Sequence, residues 1–345
     1  MHLRPGERIL VTRLNYLGDV VLSLPLIDAL HARHPGIEID YLTRDDGAAL
    51  LAGDARIGRV HRLRDGAAGA FRLVRALRAR RYAAVIDLYS NPRSAWLTWF
   101  SGAPVRIGGN RRGRRHLYTH PVSVPREVRR VTDVFMRYGA ALGVGDVAGV
   151  PTLRLMPAER ARADDTIARA GARRVRPLIG VHPGGKWPVK RWPAGKFIEL
   201  IAALGTRCDA DVLVFTGPTE REATDALRAG TTPGVHVAPA MGVRELAAVV
   251  SRLDAMVACD GGVMHVAAAT GVPTVGIFGS SEPDIWFPYA GAGPFRAAYI
   301  DVPCRPCHRH ECPLGHTRCL NELTAGAVLD EIVGAMADAR AGAAP

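Results

Sequence analysis

Lysine is almost missing from this chain. Of 45 basic residues only Lys186, Lys190 and Lys196 are lysines, all within His182-Pro-Gly-Gly-Lys-Trp-Pro-Val-Lys-Arg-Trp-Pro-Ala-Gly-Lys196. Either arginine-rich usage left three survivors by chance, or a compact ammonium on a flexible stem is needed here, as at a phosphate or diphosphate site. Aromatic residues are few, at 6%, and the 33 acids are outnumbered by bases. Long apolar runs are also lacking. Leu17–Leu30 and Val263–Gly279 are interrupted by Asp19, Asp28, His265, Gly271 and Pro273, short of the roughly 20 clean residues of a membrane span. The opening residues lack a long apolar core followed by a small-residue cleavage site, so no signal peptide and a cytoplasmic chain are expected.

What is present points to a folded enzyme-sized protein. The 345 residues exceed one usual core, so two domains are expected, and a 48% hydrophobic share gives each ample core material. A net charge of +12 favours an anionic partner: nucleic acid, a phosphorylated small molecule or an anionic membrane face. Arg72, Arg75, Arg78, Arg80 and Arg81 fall on a helical pattern and read as a solvated face. Arg106-Ile-Gly-Gly-Asn-Arg-Arg-Gly-Arg-Arg-His116 is different, because its glycines argue for a loop on which Arg106, Arg111, Arg112, Arg114 and Arg115 converge.

Short β-rich runs alternate with helical patterns along the whole chain. Strands are expected at Ile9–Arg13, Ile37–Leu42, Ile57–Leu63, Ala83–Leu88 and Val105–Ile107. A second set is expected at Leu178–His182, Asp211–Thr216, Val235–Ala238, Asp254–Ala258 and Thr274–Phe278. Helices are expected at Asp19–Arg33, Ala67–Arg80 and Pro92–Ser101, then near Ala194–Leu204, Glu220–Arg228, Val243–Arg252 and Val263–Thr270. This alternation predicts two doubly wound parallel α/β sheets. The expected division is 1–165 and 166–322, with a last helix in 323–345 packing across the seam. Ligands of such sheets bind outside the carboxyl ends of the strands, so a site between the two domains is expected.

Three loops carry candidate chemistry. After the first strand comes Asn15-Tyr-Leu-Gly18-Asp19, where Asp19 is either an N-cap or first-turn acid complementing a helix dipole or a general base beside a sugar hydroxyl. After Leu178–His182, the His182-Pro-Gly184-Gly185-Lys186 exit offers backbone N–H groups to an anion, with Lys190 just before the next helix. The third loop is Cys259-Asp260-Gly261-Gly262-Val-Met264-His265, glycines at a helix start and therefore a phosphate site. His265 is equally readable as a buried helix residue bonded to backbone.

At these residues the chain resembles the lipopolysaccharide heptosyltransferases of glycosyltransferase family nine. The resemblance rests on Leu17-Gly-Asp-Val-Val-Leu-Ser-Leu-Pro25, Lys190-Arg-Trp-Pro193, Asp260-Gly-Gly-Val-Met-His-Val-Ala-Ala-Ala269 and Pro273-Thr-Val-Gly-Ile-Phe-Gly-Ser-Ser-Glu-Pro283. It implies a GT-B fold, two Rossmann-like domains facing a central cleft, and an inverting, metal-independent transfer of heptose from ADP-heptose to the lipopolysaccharide inner core. It further implies Asp19 as base and Lys190 at the donor phosphates. Asp260, Gly261, Gly262, Met264 and His265 would form the donor-binding helix start, and Ser280, Ser281 and Glu282 a loop near nucleoside and sugar. His182, Gly184, Gly185 and Lys186 would line the donor, and Asn15, Gly18 and the arginine loop the acceptor, an anionic glycolipid at the cytoplasmic surface of the inner membrane. No cofactor is required on this reading. Gly261 stands where Ser or Thr is common, Ser280-Ser281 where Pro-Thr is usual, and Asn15 replaces a smaller residue, which leaves another nucleotide sugar or acceptor open.

Cys304-x2-Cys307-x4-Cys312-x6-Cys319 remains. A structural zinc site, reduced thiols packing a loop and redox pairing are its three readings. Two rival functions are weaker. Gly143-Val-Gly-Asp-Val-Ala148 matches a dinucleotide fingerprint but follows a helical stretch rather than a strand, and no nucleic-acid reading motif accompanies the charge.

Overall fold

The computed structural model describes residues 2–145, 149–217, 233–287 and 289–342. The chain divides into two compact units, Met1–Arg154 and Leu155–Pro345.

The first unit is a six-stranded parallel sheet in the order β3-β2-β1-β4-β5-β6, from β1 (Arg8–Thr12), β2 (Glu38–Thr43), β3 (Val60–Arg62), β4 (Ala84–Asp87), β5 (Val105–Gly109) and β6 (His120–Val122). Ile9 is in register with Ile39 on one side and Ala84 on the other. Strands covered on both faces read as continuous apolar runs, and Ile9, Leu10 and Val11 are all buried. On one face α4 (Ala67–Arg80) and α5 (Pro92–Phe100) deliver Leu73, Leu77 and Leu97 to a core with Leu10, Leu42 and Val85. Elsewhere α1 (Leu17–Leu22), α2 (Leu24–Arg33), α3 (Asp45–Leu51) and α6 (Val131–Gly139) complete the unit. The expected single helix Asp19–Arg33 is thus two, broken at Ser23. Pro25 in the first turn of α2 has no N–H to continue the ladder, and Ser23 Oγ donates instead to the Val20 carbonyl at 2.7 Å.

The second unit repeats the plan in the order β12-β11-β10-β7-β8-β9, with β7 (Leu178–His182), β8 (Asp211–Val214), β9 (Val235–Val237), β10 (Ala255–Cys259), β11 (Thr274–Ile277) and β12 (Phe295–Ala298). Each sheet reverses its winding beside its first strand, at β1/β4 and at β7/β10, which is where such folds bind ligands. Helix α7 (Pro157–Arg169), which a boundary at 165 would cut, belongs here: Glu159 holds Arg244 of helix Val243–Val250 at 2.8 Å. The last helix, Ala325–Gly342, expected across the seam, buries Val328, Leu329, Ile332 and Ala335 against α8 (Ala194–Cys208) and the second sheet. The expected helix Glu220–Arg228 lies outside the described residues.

A buried charge network is centred on β2, between β1 and β3 of the first sheet. Asp40 is fully buried and accepts from Arg80 Nε at 2.8 Å and Tyr82 OH at 2.7 Å, with His61 Nε2 at 3.5 Å. Burial opposes its ionisation, but the His61, Arg80 and Tyr82 hydrogen bonds outweigh burial and hold the carboxyl at about 2. The folded value lies below the unfolded one, so this stabilisation is present above about pH 4 and is lost as pH falls toward 2. Asp40→Asn is expected to cost about 2 kcal/mol at neutral pH and to flatten that acid limb, as read from urea midpoints across pH.

Candidate active site

In the first unit, β1 ends in a loop built around one arginine. Arg13 Nη1 donates to the Leu88 carbonyl at 3.2 Å, and its guanidinium lies 4.8 Å from the Tyr89 ring centre and 5.4 Å from that of Phe135. So clamped, Arg13 Nη2 meets Asp19 Oδ2 at 2.8 Å. Asp19 is the third residue of α1 and only 5% exposed. The helix is entered through Tyr16 with φ 59 and has no side-chain cap, so Asp19 is not acting as the N-cap. Asn15 Nδ2 donates to Tyr89 OH at 2.7 Å, and Gly18 is buried in the same turn.

The arginine loop does not behave as one group. Arg106 gives Nε to the Leu117 carbonyl at 2.9 Å and Nη1 to that of Ala103 at 2.7 Å, so it braces its own loop. Arg114 Nε points at the Ser90 carbonyl, 3.3 Å away, while Arg111, Arg112 and Arg115 are exposed. Behind them lies Asp87, at the end of β4, which the sequence reading did not single out. Its carboxylate accepts from Tyr118 OH at 2.8 Å and from the Tyr89 and Ser90 amides, and burial pushes its carboxyl up against those bonds. Its only sequence signal was an acid closing an apolar strand.

In the second unit, the three lysines separate. Lys196 makes a surface contact with Glu199 on α8 at 3.4 Å. The Lys186 ammonium lies 5.0 Å from the Trp187 ring centre, and Trp187 stacks on His310 with centres 3.7 Å apart. Lys190, at the end of the 3-10 turn Pro188–Lys190, reaches Asp260 Oδ2 at 2.6 Å. The same carboxylate accepts a hydrogen bond from Ser281 Oγ. Loops after β7, β10 and β11 therefore meet at Asp260, which is 3% exposed. Gly279 permits the meeting: a Cβ there would stand 2.5 Å from the Val189 carbonyl oxygen. Gly184 and Gly185 are buried in the β7 exit, and Arg191 Nε donates back to the Gly185 carbonyl at 2.6 Å. His182 closes β7 opposite Ala258.

Helix Gly262–Ala269 begins at the end of this cluster with Gly261 as an N-cap lacking any side-chain hydrogen bond. Two expected donor contacts point elsewhere. Met264 is fully buried and packs over Gly276 of β11. His265 Nδ1 bonds Tyr289 OH at 2.8 Å, and burial, reinforced by Lys190 and opposed by Asp260, lowers its imidazole to about 4. It is a neutral, buried ring, bonded to a tyrosine hydroxyl rather than to backbone. Ser280 is buried with its carbonyl accepting the Cys307 and His308 amides, and Glu282 Oε2 meets His308 Nε2 at 2.9 Å.

Cys304, Cys307, Cys312 and Cys319 line one small pocket beside Val189 and Ser280. All four are free thiols. Backbone N–H groups, foremost that of Thr317, hold the Cys312 thiol below its usual range, while burial, then the other three thiols, push Cys319 up. Among the described residues no three His, Cys, Asp or Glu side chains are arranged to hold a metal ion. The Gly143–Ala148 fingerprint lies partly outside the described residues, and Gly143 follows a 3-10 turn rather than a strand.

A family model, Glycosyltransferase family 9 (heptosyltransferase), matches residues 70–318. The chain belongs to glycosyltransferase family 9. Lipopolysaccharide heptosyltransferase 1 of Pseudomonas aeruginosa is 27% identical to it over 329 residues, 88% of this chain and 87% of that one. Among solved structures, a family 9 glycosyl transferase from Veillonella parvula superposes with TM-score 0.83 at 24% identity, covering 98% of this chain and 99% of that one. The ADP-heptose lps heptosyltransferase II of E. coli gives TM-score 0.80 at 24% identity, covering 96% and 98%. The expected GT-B class, two Rossmann-like parallel-sheet domains, is thereby established, and the protein is a glycosyltransferase of the heptosyltransferase family.

The position of Gly261, where the resemblance leads one to expect Ser or Thr, is sterically open. Its φ of 179 is ordinary extended backbone and a Cβ would meet only the Cys259 carbonyl at 3.7 Å. Gly261→Ser is expected to change stability by less than about 0.5 kcal/mol and, by adding a hydroxyl at the helix start, to bind ADP as tightly or more so; thermal melts and calorimetry check both.

Proposed function

We propose that this enzyme transfers heptose from ADP-heptose to the inner core of lipopolysaccharide by an inverting displacement without a catalytic metal ion. The observation that carries this reading is the Lys190–Asp260 pair at 2.6 Å, beside the uncapped start of helix Gly262–Ala269. The departing group is a diphosphate, and its developing charge needs preorganised donors. One carboxylate leaves the ammonium two N–H bonds for phosphate oxygens, and the Gly261-Gly262 amides add the positive end of the helix. His265 stays neutral and so adds no charge of its own.

Asp19 acts as general base on the acceptor hydroxyl, and Arg13 holds its carboxylate in one orientation, a positioning role. The exposed Arg111, Arg112 and Arg115 suit the carboxylates and phosphates of the acceptor, which guanidinium forks bind in pairs. The names of the similar proteins, a lipopolysaccharide heptosyltransferase and an ADP-heptose enzyme, support the same donor and acceptor classes. No helix among the described residues is long and apolar enough to cross a membrane, and we place the enzyme at the cytoplasmic surface of the inner membrane, where a lipid-linked acceptor would be reached.

Asp19→Asn is expected to lower kcat by roughly 10²–10⁴-fold while ADP affinity by calorimetry is unchanged; near-normal turnover would remove the base assignment. Lys190→Ala should weaken ADP binding by more than about tenfold, roughly 1.4 kcal/mol, whereas Lys196→Ala should leave it alone. A thermal-shift panel of ADP, UDP, GDP and their sugars identifies the donor, with stabilisation by ADP-heptose expected and preference for another base overturning the donor assignment.

A further inference from the structure

The outer face of α5 is aromatic. Asn91 caps the helix through the Ser94 amide, and Ser94, Ala95, Leu97 and Thr98 turn inward. That phase leaves Trp96, Trp99 and Phe100, at i, i+3 and i+4, on the solvent side, 48%, 45% and 41% exposed. Their rings form one patch, with centres 5.8, 5.7 and 5.0 Å apart. Contiguous exposed apolar surface of this kind marks an interaction site rather than scattered surface residues.

Arginines lie alongside. Helix α4 packs beside α5 and buries Leu73 and Leu77 with Leu97. Its solvent side carries Phe71, 64% exposed, with Arg75 and Arg78 four and seven residues on and Arg72 adjacent. The Arg78 guanidinium approaches Gly102, just past the end of α5. Arg72, Arg75 and Arg78 form no ion pair among the described residues, in contrast to Arg93 of α5, which pairs with Asp65 at 2.8 Å.

Tryptophan and phenylalanine settle at the boundary between headgroups and acyl chains, while nearby arginines gain from anionic headgroups. We propose that the α4–α5 face of the first unit docks the enzyme on an anionic phospholipid bilayer. Trp96, Trp99 and Phe100 enter at headgroup level, and Arg72, Arg75 and Arg78 lie against the lipid phosphates. A second copy of the chain fits this face poorly, because a two-fold interface would set the unneutralised arginines of both copies against each other. The inference adds a surface to the lipid-linked-acceptor reading but uses neither donor nor acceptor, so the two can fail separately.

The test is co-sedimentation of the full chain with phosphatidylglycerol–phosphatidylcholine vesicles and with phosphatidylcholine vesicles alone. Salt-sensitive binding to the anionic vesicles is expected, and W96A/W99A/F100A should reduce it by at least about tenfold. R72Q/R75Q/R78Q should weaken anionic binding and flatten its salt dependence, with melting temperature and ADP affinity unchanged in both variants. Without any substitution, tryptophan emission should be quenched by brominated acyl chains. Equal binding by parent and aromatic variant, or no binding by the parent, overturns the proposal. So does loss of a dimer by sedimentation equilibrium in the aromatic variant with vesicle binding intact, which would assign the face to a second copy.

Discussion

The carboxylate of Asp260 is where three loops of the second sheet meet. A buried anion is tolerated only when paired and hydrogen-bonded, and Asp260 takes its partners from two other strand ends: Lys190 after β7 and Ser281 after β11. Folding the sheet therefore sets the ammonium in place before any ligand arrives. The choice of lysine follows from the same pairing. An arginine fork could satisfy the carboxylate with two parallel bonds, whereas an ammonium is a point charge that one oxygen leaves incompletely used.

The first unit uses the same pair with the parts exchanged. There the cation is immobile, since Arg13 is held by the Leu88 carbonyl and by the faces of Tyr89 and Phe135. Asp19 is the group that the proposed chemistry employs. In the second unit the carboxylate is the fixed member and the cation the one proposed to meet the donor. Both pairs stand where each sheet reverses its winding, so one topological rule applied twice accounts for their positions.

Much of this was legible in the residues. Strands covered on both faces leave uninterrupted apolar runs, so the inner strands could be read from the sequence; at the edges β6 (His-Pro-Val) and β12 (Phe-Arg-Ala-Ala) are interrupted by Pro121 and Arg296 and were not read. Lys190 stood out because lysine is scarce, while Arg13, one of many arginines, did not. Asp260 was legible as a loop acid, but which side of the following helix Met264 and His265 face depends on packing against Gly276 and Tyr289, distant in the chain. Arg106 looked like its neighbours because sequence does not record that its donors are taken by Leu117 and Ala103. Trp96, Trp99 and Phe100 have the spacing of a core stripe, and only the orientation of α5 turns them outward.

Gly279 has a wider consequence. The spacing between the β11 loop and the turn that carries Lys190 is set there by backbone against backbone, with the Val189 carbonyl where a side chain would begin. Hard contact of this sort has no rotamers to sample, no proton to lose and no counterion to attract. The turn that carries Lys190 is thus registered on the sheet by the thickness of a peptide plane, a contact with no charge of its own to titrate or screen.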